Sequence, residues 1–152
     1  MNKLLTLLNE LENKIPFSDR LNESVSSATV GWHIEHTLLA TNKISHAVIA
    51  SNPEEYRWKF NKIRTLIFLI NRIPRGKGKA PKVAQPQGDI TFENLKMNFE
   101  LTKKKVAELN GLNSRKHFDH PYFGKLNLKS TLWFLKIHLK HHLKIIDDIL
   151  RK

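Results

Sequence analysis

The sequence has no cysteine among its 152 residues. This absence excludes disulfide bonds, thiolate ligands to a metal and a nucleophilic cysteine. A metal bound to this chain would therefore be held by imidazole nitrogens and carboxylate oxygens. Such ligands suit Zn, Ni, Fe or Mn better than Cu(I).

Long apolar runs are also missing. The longest uninterrupted apolar stretch covers residues 66–70, whereas a membrane-spanning helix needs roughly 18 such residues. Asn, Glu and Lys interrupt residues 1–14 every few positions, so this segment lacks the continuous apolar region of a signal peptide. We therefore expect a cytoplasmic protein with no membrane partner.

Acidic residues are scarce beside basic ones. Fourteen Asp and Glu stand against 26 Lys and Arg, which gives a net charge of +12. Such an excess is compatible with binding to nucleic acid or to an anionic membrane surface. However, lysines occur in every segment, only residues 103–105 form a run, and no helix-turn-helix or aromatic-interleaved basic motif is present. We interpret the charge as a solvated surface and expect no nucleic-acid partner, with a basic nucleic-acid-binding module as an alternative.

Apolar residues recur at helical spacing between the prolines and glycines, and alternating strand patterns are absent. We predict helices over residues 2–15, 28–51, 54–72, 92–110 and 128 to about 150. The expected N-caps are Ser27, Asp89 or Thr91, and Asn127. The prediction is a single all-α domain over residues 1–152, a four-helix bundle with an additional helix.

Two features interrupt this helical pattern. Pro16 and Gly111 are expected to end the helices that precede them. Residues 73–89 hold three prolines and three glycines, so they predict a long irregular crossover. Loops of that length are uncommon within a compact domain and are often functional.

Histidines are numerous, with eight in the chain. His138 and His142 are four residues apart in the last predicted helix, so they lie on one face, one turn apart. At about 100° per residue, His142 lies about 40° and His138 about 80° from the centre of the apolar stripe, whereas His141 lies about 140° away, toward solvent. This spacing permits two imidazoles to bind one ion. The alternative is a pair of half-buried histidines satisfied by water or by a neighbouring helix.

The second predicted helix supplies a third inward histidine. Trp32, His36 and Leu39 share one face, and His33 lies about 60° from His36. Taken alone, His36 is an ordinary core histidine. Three inward histidines with an open coordination position, however, match the ligand count of a catalytic metal site. Glu35 either orients a ligand or is solvated.

These histidines belong to motifs that resemble the DinB/YfiT-like superfamily of metalloenzymes. The resemblance rests on S-x-x-T-V-G-W-H-I-E-H in the second helix, H-P-Y-F-G-K-L before the last helix and H-L-K-H-H-L within it. It covers essentially the whole chain and is closest to the branch with an H-P-x-F-G motif. The resemblance implies a four-helix bundle that holds one divalent metal through His36, His138 and His142, and it implies a homodimer.

The same resemblance suggests a role for His120 in the H-P-Y-F-G motif. It implies that His120 lies at the rim of the pocket as an acid/base group, as a hydrogen-bonding partner of a ligand or as an occasional ligand. The alternative is a turn, in which Pro121 fixes φ and Gly124 permits a left-handed residue. The turn accounts for Pro121 and Gly124 but not for His120. The roles of His33 and His141 stay open.

A metal held by three neutral imidazoles keeps its charge and has open positions for water or substrate. Such a metal lowers the pKa of bound water to around 7 or stabilises a thiolate. The expectation is a metal-dependent hydrolase or a low-molecular-weight-thiol S-transferase with a small-molecule substrate and, by resemblance, a thiol cosubstrate. Candidates to bind the carboxylates of such a thiol are Arg72, Arg75, Lys77 and Lys79. The competing interpretation is a non-catalytic helical bundle whose metal is structural or absent.

Overall fold

The computed structural model describes residues 2–76 and 84–151, which are mainly helical. Over these residues the chain forms five α-helices and two short strands: α1 (Asn2–Glu12), α2 (Val30–Ala50), α3 (Lys62–Ile70), α4 (Phe92–Glu108), β1 (His117–His120), β2 (Gly124–Asn127) and α5 (Leu128–Leu150). Short 3₁₀ turns cover Ile15–Phe17 and Pro53–Glu55. Among these described helices, none combines the length and the apolar character that crossing a bilayer requires.

The apolar core lies between α1, α2, α4 and α5. Both α1 and α2 pack against α4 and α5. Each of the four helices contributes fully buried side chains, for example Leu8, Ile34, Phe99 and Leu135. Burying one such side chain contributes about 1.5–3 kcal/mol. The direct contact between α2 and α5 is what brings the histidines of these two helices together.

Capping residues set where the helices begin. The Thr29 hydroxyl accepts a hydrogen bond from the Trp32 N–H at 3.2 Å, so α2 begins two residues later than the predicted Ser27 cap implied. The Ser27 prediction is wrong because Thr29 provides the side-chain oxygen at the required position. Thr91 and Asn127 cap α4 and α5 in the same way, which confirms both predictions.

Prolines and glycines set where the helices end. Helix α1 stops at Glu12, before Pro16, and Pro16 lies within the following 3₁₀ turn. Ile15 in that turn is buried, so its apolar periodicity reflected the core rather than a longer helix. Gly111 follows α4 with φ of 76°, a left-handed conformation that glycine adopts without strain, as predicted.

The predicted helix over residues 54–72 is shorter than expected. Asn61 caps α3 by accepting from the Arg64 N–H at 2.8 Å. The Arg64 guanidinium is buried and donates to the backbone carbonyls of Lys59 and Phe123. The bond to Lys59 uses a backbone carbonyl just before α3, so this carbonyl is satisfied without a helix, and the bond to Phe123 ties α3 to the connector before α5.

The all-α prediction is wrong in the connector before α5. Strands β1 and β2 form an antiparallel hairpin in which His117 pairs with Asn127 and His120 pairs with Gly124. Gly124 has φ of 66°, which closes the turn at no steric cost. Each strand has only four residues, too few for an alternating pattern to be visible in the sequence. Leu126 anchors the hairpin in the core.

Gly31 permits a close approach at the start of α2, and its substitution provides a test of the fold. Its N–H donates to the Ser18 carbonyl at 2.8 Å, and a Cβ added there would lie 2.9 Å from that oxygen. We expect Gly31→Ala to lower the free energy of unfolding by about 1–3 kcal/mol, measured by urea denaturation. Ala50→Ser, at the exposed end of the same helix, is the control. Wild-type stability of Gly31→Ala would contradict this packing.

Candidate metal centre

Three histidines from α2 and α5 converge inside the helical core. One ring nitrogen from each of His36, His138 and His142 lies within 4.8 Å of the other two. The ring centroids are 5.2 Å apart for His36 and His138, 4.8 Å for His36 and His142, and 4.7 Å for His138 and His142. The three residues are only 5%, 9% and 7% exposed. The structure thus brings together the three histidines that the sequence singled out.

His36 is oriented by the backbone of the crossover. Its Nδ1 lies 2.6 Å from the Ala84 carbonyl oxygen, and because a carbonyl only accepts, Nδ1 carries the proton. In the neutral ring the lone pair is therefore on Nε2. The indole of Trp32 stacks on the same ring at 5.1 Å. A fixed tautomer and a packed ring are what a metal-binding histidine requires.

His142 is oriented by a fourth histidine. Its Nδ1 lies 3.1 Å from Nδ1 of His33. Nε2 of His33 lies 3.0 Å from the hydroxyl of Ser26, which also accepts from the Ala28 N–H. One of the two facing Nδ1 atoms carries the proton. Only when His142 donates to His33 is Nε2 of His142 free to bind a cation.

His138 carries an unsatisfied polar atom. Its Nδ1 is buried and has no hydrogen-bond partner among the described residues. Leaving such a group unpaired costs about 1–3 kcal/mol. A cation shared with His36 and His142 would give the ring a partner, and the orphaned nitrogen is therefore evidence that these residues fit a metal ion.

The electrostatics keep the three rings neutral. Burial lowers the pKa of His36 below its ordinary 6.5. Burial, together with the neighbouring imidazoles, holds the pKa of His138 and of His142 well below that value. Neutral imidazole is the form that binds metals. Within the described residues the cluster consists of imidazoles alone, a donor set that suits divalent transition metals.

His120 lies outside this cluster, one aromatic ring away. It stacks on Phe123 at 4.1 Å and contacts Phe134 at 4.6 Å, and Phe134 in turn lies 5.7 Å from His138. Its Nδ1 accepts from the N–H groups of Tyr122 and Phe123, so His120 stabilises the hairpin turn. Burial lowers its pKa to about 4. The turn, which seemed to explain only Pro121 and Gly124, therefore uses His120 as well.

Two other candidate residues have partners away from the cluster. His141 is half-buried, and its Nδ1 donates to the Ile73 carbonyl at 3.0 Å. Its ring contacts His142 at 5.1 Å without a hydrogen bond between them. Glu35 accepts from the Asn98 side chain at 2.9 Å, so it joins α2 to α4.

The structure describes only two of the four cationic residues that the sequence singled out in the crossover. Arg75 forms an ion pair with Asp148 at 2.6 Å, and its charge contributes to the lowered pKa of His33 and His141. Arg75 therefore acts electrostatically on the edge of the cluster. Arg72 is exposed, and residues Lys77 and Lys79 lie outside the described residues.

Sequence reasoning missed two groups that orient the cluster. His33 lies near His36 on the helical wheel, but its contact with His142 joins residues 109 positions apart. The Ala84 carbonyl is a backbone group, which leaves no signal in the sequence. In comparisons with known proteins, no protein-family model, curated protein or solved structure matches this chain.

Proposed function

We propose that this chain is a DinB/YfiT-like metalloprotein in which His36, His138 and His142 bind one divalent transition metal, Zn, Ni, Fe or Mn. The observation that carries the proposal is the convergence of three buried, neutral imidazoles, one of them with an orphaned nitrogen. The contacts of α1 and α2 with α4 and α5 support the four-helix bundle of that superfamily. In this interpretation α3 is the additional helix, and the segment between α3 and α4 is the long crossover.

The proposed activity is hydrolysis, or transfer of a low-molecular-weight thiol, on a small-molecule substrate. A divalent ion held by three neutral ligands supplies Lewis-acid chemistry to water, to a carbonyl or to a thiolate. The Trp32 ring stacks on His36 and the Phe134 ring lies against His138, so apolar surface borders the cluster at both rings. Arg75 contributes a positive charge near its edge, which suits an anionic substrate or cosubstrate.

The metal content of protein purified without a His tag tests this proposal. We expect about one divalent transition metal per chain by inductively coupled plasma mass spectrometry, and loss of that metal in His138→Ala. Two assays then distinguish the activities: cleavage of activated esters indicates hydrolysis, and consumption of a low-molecular-weight thiol indicates thiol transfer. A metal content of nil would leave a non-catalytic helical protein.

His33 gives a second test, because it orients His142, one of the three proposed metal-binding residues, without binding the metal itself. We expect His33→Ala to lower the affinity for Zn²⁺ by about 10–100-fold, since Nδ1 of His142 loses its partner. The matched control is His141→Ala. It removes a ring that contacts His142 but does not remove a hydrogen bond to His142, so its affinity for Zn²⁺ should be close to that of wild type. Competition with a chromophoric chelator measures both. Equal affinities of His33→Ala and wild type would contradict the orienting role.

A further inference from the structure

Six large apolar residues around α3 are exposed to solvent. Four of them lie within α3 and form what we term the α3 face: Ile63 (55% exposed), Leu66 (56%), Leu69 (81%) and Ile70 (40%). Trp58 (65%) and Phe60 (63%) precede the helix, and the Arg64 guanidinium lies over the Trp58 ring at 5.7 Å. The apolar periodicity of this segment predicted a helix over residues 54–72. Of the residues within α3, only Arg64 and Ile67 are buried.

The α3 face is continuous rather than scattered. At about 100° per residue, Leu69, Leu66, Ile70 and Ile63 occupy an arc of about 120° on the side of α3 opposite Arg64. The other side of α3 packs against the rest of the chain: Asn61 donates to the Tyr122 carbonyl at 3.0 Å, and Phe68 contacts Trp133 at 4.9 Å.

The α3 face is a sizeable apolar surface in water. Its four residues, exposed to these fractions, present on the order of 400 Å² of apolar surface, within the range of the largest patch on a typical monomer. Such patches are often functional, so the α3 face is a candidate surface for a partner with an apolar interior.

The charges around the α3 face define the chemistry of that partner. Arg57, Lys59 and Lys62 lie at its N-terminal end and Arg72 at its C-terminal end, and all four are exposed. The sequence has no Asp or Glu between residues 56 and 88. A partner that fits this face is therefore apolar where it meets the centre and anionic where it meets the rim.

We propose that the α3 face binds the surface of an anionic lipid bilayer. A bilayer offers acyl chains to Leu66 and Leu69 and anionic headgroups to the flanking lysines and arginines. Trp58, exposed just before α3, is of a residue type that favours the interface between headgroups and acyl chains. The expected absence of a membrane partner rested on the lack of a spanning segment and on lysines spread along the chain. Surface binding needs no span, and the fold places cations around one apolar face.

Two other partners fit this face less well. A second copy paired about a two-fold axis would bring the same cations of both chains together, with no carboxylate in this segment to neutralise them. A nucleic acid would pair with the cations but leave Leu66 and Leu69 in water. The bilayer proposal does not depend on the metal centre.

Vesicle co-sedimentation of the full chain tests the proposal. The vesicles are phosphatidylcholine alone and an equimolar mixture with phosphatidylglycerol. We expect binding to the mixed vesicles at least about tenfold tighter than to phosphatidylcholine, and weaker at high salt. The double variants Leu66→Ser/Leu69→Ser and Lys59→Ala/Lys62→Ala should each bind the mixed vesicles about tenfold more weakly.

Matched controls lie elsewhere on the surface. Met97→Ser/Leu101→Ser removes two exposed apolar residues of α4, and Lys104→Ala/Lys144→Ala removes two exposed cations. Both should bind like wild type, and thermal unfolding verifies that every variant is folded. No binding to mixed vesicles, or equal losses in the controls, would overturn the proposal. A dimer in light scattering that Leu66→Ser/Leu69→Ser dissociates, without vesicle binding, would identify a second copy as the partner instead.

Discussion

Replacing His138 by alanine is expected to lower the affinity for Zn²⁺ by more than about 100-fold, because losing a ligand costs more than losing a group that merely orients one. The change removes one of only three imidazoles in the cluster. It also removes a buried ring that packs against His36, Phe134 and His142, so thermal unfolding of the metal-free variant verifies that it is folded. Metal content and chelator competition measure the loss.

Thermal unfolding adds an independent measure of the same prediction. A ligand that binds only the folded state at 100 times its Kd stabilises by about 2.7 kcal/mol, so added Zn²⁺ should raise the Tm of wild type and leave that of His138→Ala unchanged. His46→Ala is the matched control, since His46 is an exposed histidine on α2. It should keep the metal and the shift in Tm. Wild-type metal content in His138→Ala would remove the basis of the proposed function.

The second large effect is acid sensitivity of the metal-free protein. Burial lowers the pKa of His33 and of His120 from 6.5 to about 4. Above pH 6.5 both residues are neutral in the folded and unfolded chains. Between the two pKa values the unfolded chain binds protons that the folded chain does not, so stability falls as the pH falls. Each residue accounts for about 3 kcal/mol over this interval.

Two such losses are a large part of a typical stability of about 5–15 kcal/mol, and the lowered pKa values of His138 and His142 act in the same direction. We expect chelator-treated protein to lose several kcal/mol in urea unfolding between about pH 7 and 4.5. His120→Asn keeps an acceptor for the hairpin turn and should reduce the loss, whereas His46→Asn should not. A free energy of unfolding that stays constant over this range would show that these histidines are not buried as described.

Local signals in the sequence were sufficient for much of the fold. Apolar spacing located the helices, and the caps at Thr91 and Asn127 and the stop at Gly111 were found correctly. These features depend on residues within a few positions of each other, so the sequence displays them directly. The spacing of His138 and His142 is local in the same sense, and the apolar neighbours of His36 identified the third ring.

Only the tertiary structure decided how these elements meet. The strands of the β1–β2 hairpin are too short to show an alternating pattern in the sequence. The guanidinium of Arg64 reaches the Phe123 carbonyl, 59 positions away, and the exposure of the α3 face depends on which segments pack against α3. The contact of His33 with His142 spans 109 positions, and that of His36 with Ala84 spans 48. The sequence by itself determined which helix faces are apolar and that His36, His138 and His142 point inward, because helical period is local. What covers each face, and which ring nitrogen keeps its proton, depends on the packing of separate segments.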